Sequence, residues 1–272
     1  MPVYWIARNT FLEAVRQRFF NFLLVLSVIM TLVSLAISGF NFGGNELKFI
    51  ADFGFGALFL FGSILAVVMS VQLFFAEIEN RTAITLLAKP VSRLQFLAGK
   101  FIGIALLLAV FVAVMTILLG IVLAARQPVL AEIAAQRGAL APYFSLNGLA
   151  IFAVLQWARL TIVAAMTLFF TSFSQTYLYA VIVSFCGLLI AQLQYVLQDV
   201  ADGEKTALAV KIIAGTLAKC VPNLQLFNLG PQLVLEAAGV PAGTIFSALG
   251  YGAIWSGVLI LLAFAFFRSR EM

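Results

Sequence analysis

The chain has 272 residues, of which 64% are hydrophobic and only 10% are charged, and its mean hydropathy is +1.12. A soluble domain is about half apolar and about one quarter charged, so this composition excludes a soluble protein and predicts one that lies in a bilayer. Histidine is absent, which excludes histidine-based zinc or haem sites and Ser-His or Cys-His catalytic pairs. The net charge of +5 follows the predicted membrane topology and therefore does not indicate nucleic-acid binding.

The first predicted element is an amphipathic helix over residues 1–18. Its apolar residues recur at helical spacing: Tyr4, Ala7, Phe11 and Val15. Aromatic and arginine side chains at its edges suit the boundary between lipid headgroups and acyl chains. We therefore expect this helix to lie along the membrane surface.

Six stretches that follow are long and apolar enough to cross a membrane, which takes about 20 residues. They cover 19–39, 53–75, 101–124, 148–171, 177–196 and 246–267. The first is too long for the apolar part of a secretory signal, so we interpret it as a retained span. No other stretch has the polarity and length of a soluble domain, so residues 1–272 are predicted to form a single all-α membrane domain.

Lysine and arginine residues predict the orientation of these spans. With the N-terminus inside, nine of them fall in inner segments and six in outer segments. Three of the six outer charges lie in the long outer loop 197–245, where charge has less influence on topology. Both termini are therefore predicted to be cytoplasmic, with the loop 76–100 on the same side.

The charged loop 76–100 contains signals for a short helix of its own. Asn80 or Thr82 can begin that helix, and Pro90 ends it at Lys89. The sequence thus predicts a cytoplasmic surface helix between the second and third spans. A helix in this place presents a surface to a cytoplasmic partner, whereas a simple connecting loop needs only a few polar residues.

A second helix start follows at the end of this loop. Ser92 can cap the next helix, and Gln95 at the third helical position completes a capping box. Lys100, near the beginning of the third span, is expected to extend its ammonium group to the lipid headgroups.

Arg159, with Gln156 one turn before it, lies near the middle of the fourth apolar stretch. A charge at mid-bilayer costs at least ~2.5 kcal/mol on insertion scales. One interpretation places both residues on a translocation path, where Arg159 binds an anionic substrate or acts in gating. The other is that the helix begins late, so that Arg159 reaches the outer headgroups. The residues alone leave both interpretations open.

Four stretches resemble, in chain order, the permeases of the type-2 ABC exporter family, which include multicopper-enzyme maturation permeases and many drug and lipid exporters. They are Ile6–Arg18, the loop 77–100, Val221–Leu229 and Phe267–Glu271. The resemblance implies a six-span subunit of a homodimer or heterodimer in the bacterial inner membrane, with two cytoplasmic ATPase subunits. ATP and Mg would be bound by those partners, and no P-loop motif occurs in this chain. A periplasmic partner is a further expectation, as are outer helices of the loop 197–245 that dip into the membrane near an exit gate.

The resemblance also implies that the loop between spans two and three forms a coupling helix that contacts the ATPase. The residues expected to serve that contact are Glu77, Glu79, Arg81, Thr82, Leu86, Leu87, Lys89, Pro90, Ser92 and Arg93. The plainer interpretation is a solvated loop that faces the headgroups. No enzymatic role and no metal is expected for this chain.

Two other functions compete with the exporter. A membrane scaffold or assembly factor that does not transport would use the same loop to hold a cytoplasmic partner. A self-sufficient secondary transporter usually needs titratable acids within its spans, and the predicted spans contain none.

Overall fold

The computed structural model describes residues 2–38, 46–79, 92–136, 143–202, 208–237 and 239–269, and the regular elements in these ranges are all helical. The first four helices are α1 (Pro2–Arg16), α2 (Arg18–Ser38), α3 (Glu46–Glu79) and α4 (Arg93–Gln136). The next four are α5 (Leu146–Phe173), α6 (Tyr177–Gln192), α7 (Gln194–Asp202) and α8 (Leu208–Cys220). A 3₁₀ helix (Leu224–Phe227), α9 (Gly230–Val234) and α10 (Ala242–Ser269) complete the chain.

Within the described ranges, five helices are long and apolar enough to cross a membrane, namely α2, α3, α4, α5 and α10. The pair α6 and α7 counts as a sixth crossing if its two helices, bent by 57° at Leu193, form one broken span. These helices confirm the predicted all-α membrane fold. The stretch 177–196, predicted as one span, is thus divided between two helices.

Helices α3, α4 and α5 form the centre of the molecule. In α5, every residue from 158 to 168 is buried, as expected for a helix that is apolar on all sides. Helices α2 and α10 lie at the periphery and expose large apolar side chains such as Phe22, Ile29, Ile254 and Leu261. Such surfaces suit a bilayer, because lipid tails are as apolar as leucine.

Helix α1 packs against the first turns of α4 through Gly99 and Gly103. A Cβ atom added at Gly99 would lie 2.7 Å from Cγ2 of Ile6, and one at Gly103 would lie 2.8 Å from the carbonyl oxygen of Ala7. Small residues four apart let two helix backbones approach closely. The two glycines therefore hold α1 on the protein.

The face of α1 that is buried in the protein shares only Ala7 with the apolar residues that recur at helical spacing. Its buried residues are Ile6, Ala7, Thr10 and Ala14. Tyr4 and Trp5 are each 61% exposed, and the Arg8 guanidinium lies 5.6 Å from the Trp5 ring centroid. The face of α1 that approaches the α4 glycines carries Ile6, Ala7 and Thr10, so Tyr4 and Trp5 point away from the protein. The position of α1 at a membrane surface stays a prediction.

Lys100 differs from its expected position. Its side chain is fully buried, and its Nζ atom lies 6.0 Å from the Phe96 ring centroid. The expectation that it reaches the headgroups is wrong, because the packing around the first turns of α4 encloses the whole side chain.

Candidate functional site

Most of the residues expected to contact a partner lie in the connection between α3 and α4, outside the described residues: Arg81, Thr82, Leu86, Leu87, Lys89 and Pro90. The predicted short helix falls there too. Glu77 and Glu79 belong to the last turn of α3, and their side chains are also outside the described part. Ser92 and Arg93, at the start of α4, are the two whose surroundings can be given.

The capping box predicted at the start of α4 is confirmed. The backbone N–H of Ser92 donates to Oε1 of Gln95 at 3.1 Å, and the backbone N–H of Gln95 donates to Oγ of Ser92 at 3.2 Å. These two bonds satisfy donors that a helix start leaves without partners. They fix the residue at which α4 begins, directly after the connection from α3.

Arg93 is bonded to the far end of the same chain. Its Nη1 atom donates to the carbonyl oxygens of Phe267 at 2.9 Å and Arg268 at 2.8 Å. These carbonyls belong to the last turn of α10, where helix geometry leaves oxygens without N–H partners. A cation is also favourable at a helix C-terminus because of the helix dipole. Arg93 therefore caps α10, a contact that spans 174 residues of sequence and was not predicted.

Three phenylalanines reinforce this junction, and because the predicted topology puts them toward the inner side, we call them the inner aromatic cluster: Phe74 of α3, Phe96 of α4 and Phe267 of α10. The ring centroids of Phe74 and Phe267 are 5.5 Å apart, those of Phe96 and Phe267 are 6.0 Å apart, and those of Phe74 and Phe96 are 6.3 Å apart. All three side chains are buried. Each aromatic pair contributes about 0.5–1.5 kcal/mol beyond its buried area. The end of α3, the start of α4 and the end of α10 are thus joined in one packed unit.

Arg159 occupies the middle of α5 and is 3% exposed. Its Cζ atom lies 3.6 Å from the Phe59 ring centroid on α3, and its Nη2 atom donates to Oε1 of Gln192 on α6 at 2.8 Å. The Nε atom of Arg159 and the Oε1 atom of Gln156, which is also buried, have no hydrogen-bond partner among the described residues. The structure thus places Arg159 inside the subunit, which contradicts its interpretation as an outer headgroup anchor. A role of Gln156 and Arg159 in transport stays a prediction.

Gln192, the last residue of α6, makes contacts at both of its carbonyl groups. Its side chain accepts from Arg159, and its backbone oxygen accepts from Nε2 of Gln225 at 3.2 Å. Helix ends at membrane depth need such donors, because acyl chains offer none. Gln225 therefore stabilises the break between α6 and α7.

The same polar contacts continue to α10. Oδ1 of Asn223 accepts from the backbone N–H of Gln225 at 2.9 Å, and the backbone N–H of Asn223 donates to the Tyr251 hydroxyl at 2.7 Å. Because the predicted topology puts this series toward the outer side, we call it the outer polar chain: Arg159, Gln192, Gln225, Asn223 and Tyr251. Sequence reasoning found only Arg159. The glutamine at the end of an apolar stretch and the Val-Pro-Asn-Leu-Gln-Leu-Phe segment at 221–227 were the available signals for the rest.

In the described part of the chain, no group of three or more His, Cys, Asp or Glu residues is placed to hold a metal ion.

Comparison with known proteins gives one family. A family model described as ABC-2 family transporter protein matches residues 4–272. No curated protein matches the chain. The family match covers α1 from residue 4 onward and every later helix that the structure describes, so both the inner aromatic cluster and the outer polar chain lie within it.

Proposed function

Since the chain belongs to the ABC-2 transporter family and is therefore a membrane permease of an ABC transporter, we propose that it is the membrane-spanning subunit of an ATP-driven exporter. Two cytoplasmic ATPase subunits bind ATP and Mg, and the permease works as a homodimer or heterodimer. The protein is a multi-pass membrane protein; our proposal places it in the bacterial inner membrane with both termini in the cytoplasm.

The proposed coupling region is the connection between α3 and α4. The observation that most supports this coupling role is that tertiary contacts hold both helix ends that flank the connection. The inner aromatic cluster joins α3 to α4, the Ser92–Gln95 capping box fixes the start of α4, and Arg93 attaches that start to α10. A connection that only reverses the chain direction does not need such contacts. A connection that an ATPase displaces needs them, because without them the helix ends would unfold locally and the rest of the permease would not move.

Gln156 and Arg159 are proposed to belong to the translocation path. Buried polar atoms are usually hydrogen-bonded, and each unsatisfied one calls for an explanation. Movement at the break between α6 and α7 would free the Arg159 guanidinium for an anionic group of the cargo, because its hydrogen-bond acceptor there is a neutral amide that can be exchanged.

The proposal is tested by the double substitution Leu86→Asp/Leu87→Asp. A charge placed in a dry apolar contact costs several kcal/mol, about 2–7 for a polar group without a hydrogen bond. We expect the variant to reach the membrane in normal amount and to lose co-purification with the ATPase. ATPase activity stimulated by the permease should fall with it.

The matched control is Leu146→Asp. Leu146 is 64% exposed and begins α5, at the end of the bundle away from Arg93. An acidic residue in the first turn suits the helix dipole, so this change should leave ATPase association intact. Unchanged association in Leu86→Asp/Leu87→Asp would contradict the coupling role. A permease that binds the ATPase without moving any cargo would instead favour a membrane scaffold.

A further inference from the structure

Helix α10 is attached at its inner end to both helices that flank the proposed coupling region. Arg93 donates from one nitrogen to two successive carbonyls of the last turn, and the Phe267 ring of that turn packs on Phe96 and Phe74. Hydrogen bonds from a guanidinium are charge-assisted and stronger than those between neutral groups. Displacement of the start of α4 therefore displaces the end of α10.

Nine residues after its start, at Tyr251, α10 is attached to the segment that stabilises the broken span. The Tyr251 hydroxyl accepts a hydrogen bond from the backbone N–H of Asn223, and the Tyr251 and Phe227 ring centroids are 6.5 Å apart. The Phe227 ring also lies against Gly252, with Cζ 3.2 Å from where a Cβ would stand. Movement of α10 therefore reaches Asn223 and, through it, the other members of the outer polar chain.

The helix between these two attachments is continuous. Sixteen residues separate Tyr251 from Phe267, or about 24 Å at 1.5 Å per residue, and no proline interrupts the 28 residues of α10. The helix also packs along α5: a Cβ at Gly252 would lie 3.6 Å from that of Ala158, and the Phe266 ring lies 5.8 Å from that of Phe169.

We propose that α10 transmits movement from the start of α4 to the break between α6 and α7, with Arg93 and Tyr251 as the positioning residues at its two attachments. The inference rests on the proposed function, in which an ATPase moves the connection between α3 and α4. The inference adds to that function a path of contacts through α10, from the inner ends of α3 and α4 to the outer polar chain. The two attachments act in series, so loss of either one interrupts the whole path.

Cys220 provides a probe that needs no knowledge of the cargo. It is exposed and free at the end of α8, three residues before Asn223. With Cys186 replaced by Ser, we would measure the labelling rate of Cys220 by a membrane-impermeant maleimide in the purified permease–ATPase complex. In this background, ATP with vanadate should change that rate by about fivefold or more, the lower end of typical coupling between sites.

The test variants are Arg93→Gln, Tyr251→Phe and the two combined. Tyr251→Phe should retain ATPase association and basal hydrolysis, and each single variant should lose most of the ATP-dependent change at Cys220. The double variant should be no worse than the more affected single one, because changes in series are not additive. Arg126→Gln, which removes a contact between α4 and α3 at the other end of α4, and Tyr179→Phe, at an exposed tyrosine of α6, should keep the full change.

Three results would overturn the inference. Arg93→Gln could keep the full ATP-dependent change in Cys220 labelling. It could instead lose ATPase association, which would indicate that Arg93 contacts the ATPase and does not act through α10. Single effects that multiply in the double variant would indicate two independent structural roles. If Arg93→Gln fails to accumulate, Tyr251→Phe decides alone, since it removes one hydroxyl from the other attachment. Failure of the unaltered permease to bind any ATPase would instead contradict the proposed function.

Discussion

At the scale of single residues, Arg159 shows how a membrane core accommodates a cation. A desolvated cation–π contact contributes about 2 kcal/mol, and a hydrogen bond to a charged group about 1.5–3 kcal/mol. The insertion penalty for arginine at a helix centre is about 2.5–3.5 kcal/mol. Phe59 and Gln192 together offset the penalty, and the Nε atom without a hydrogen-bond partner, which costs about 1–3 kcal/mol, takes up much of the remaining gain, so Arg159 is close to neutral for stability.

This balance predicts an order of stabilities among substitutions at the pair. Arg159→Leu removes the penalty but leaves Oε1 of Gln192 without its donor, which costs about 1–3 kcal/mol, so its thermal midpoint should stay close to that of the unaltered protein. Arg159→Leu/Gln192→Leu removes both groups and should be more stable than either. Gln192→Leu leaves the guanidinium with Phe59 alone and should be the least stable. Thermal unfolding in detergent gives the order, and a Gln192→Leu protein as stable as the unaltered one would contradict it.

The sequence predicted that Arg159 must avoid lipid, because the insertion penalty demands polar or aromatic neighbours or a position at the headgroups, but it left these two interpretations open. It did not identify those neighbours, since Phe59 and Gln192 lie on other helices and their approach depends on packing. For Lys100, in contrast, the position predicted from the sequence was wrong. The same rule predicted a side chain that extends to the headgroups, but the packing around the start of α4 encloses it.

At the scale of elements, the contact between α1 and α4 depends on the absence of side chains. Gly99 and Gly103 stand one turn apart, so α1 approaches until its backbone touches α4. Spacing alone predicted the helix but not its buried face, because the glycines that this face approaches lie almost 100 residues further along the chain. Tertiary packing likewise decides where the helix breaks after Gln192. The backbone oxygen of Gln192 accepts a hydrogen bond from Gln225, which lies 33 residues further along the chain. The sequence of 177–196 alone therefore could not predict this break.

Gly103→Ala should displace α1. The new Cβ would meet Cβ of Thr10 at 2.6 Å and the carbonyl oxygen of Ala7 at 2.8 Å, and a backbone atom cannot move aside alone. We expect a lower thermal midpoint and faster maleimide labelling of a cysteine placed at Ala14, which is fully buried. The native Cys186 and Cys220 are exposed and must first be replaced by Ser.

The matched control is Gly257→Ala in α10, where nothing lies within 4 Å of the added Cβ. Alanine is favoured over glycine in a helix by about 0.5–1 kcal/mol, so this variant should be slightly more stable. If the cysteine at position 14 stays protected in Gly103→Ala, then α1 is held by other contacts.

At the scale of the whole molecule, two polar contacts agree with the predicted distribution of inner and outer segments. Arg93 binds the end of α10, and the charge count predicts both to be inner. Arg126 and Glu46 form a salt bridge at 2.7 Å, and both are predicted to be outer. The two contacts involve opposite ends of α4, whose 44 residues span about 66 Å at 1.5 Å per residue. This length exceeds the bilayer core of about 30 Å, so α4 extends beyond the membrane.

The topology is therefore testable with cysteines placed at the two ends of α4, Ser92 and Gln136, which are both exposed. In a background without Cys186 and Cys220, an impermeant maleimide added to intact cells should label position 136 and not position 92. Inverted membrane vesicles should give the reverse pattern. Labelling of both positions from one side would refute the predicted crossing of α4.

The burial of Arg159 also constrains the order in which the protein enters the membrane. Phe59 precedes α5 and is already in place when α5 is synthesised, whereas Gln192 follows 33 residues later. During that interval the guanidinium has the aromatic ring but not its hydrogen-bond acceptor. Only residues 174–176 separate α5 from α6, so the two helices can leave the translocon together as a hairpin. Biogenesis of α5 thus depends on synthesis continuing through α6, and a nascent chain halted between them would hold an arginine that lipid accepts poorly.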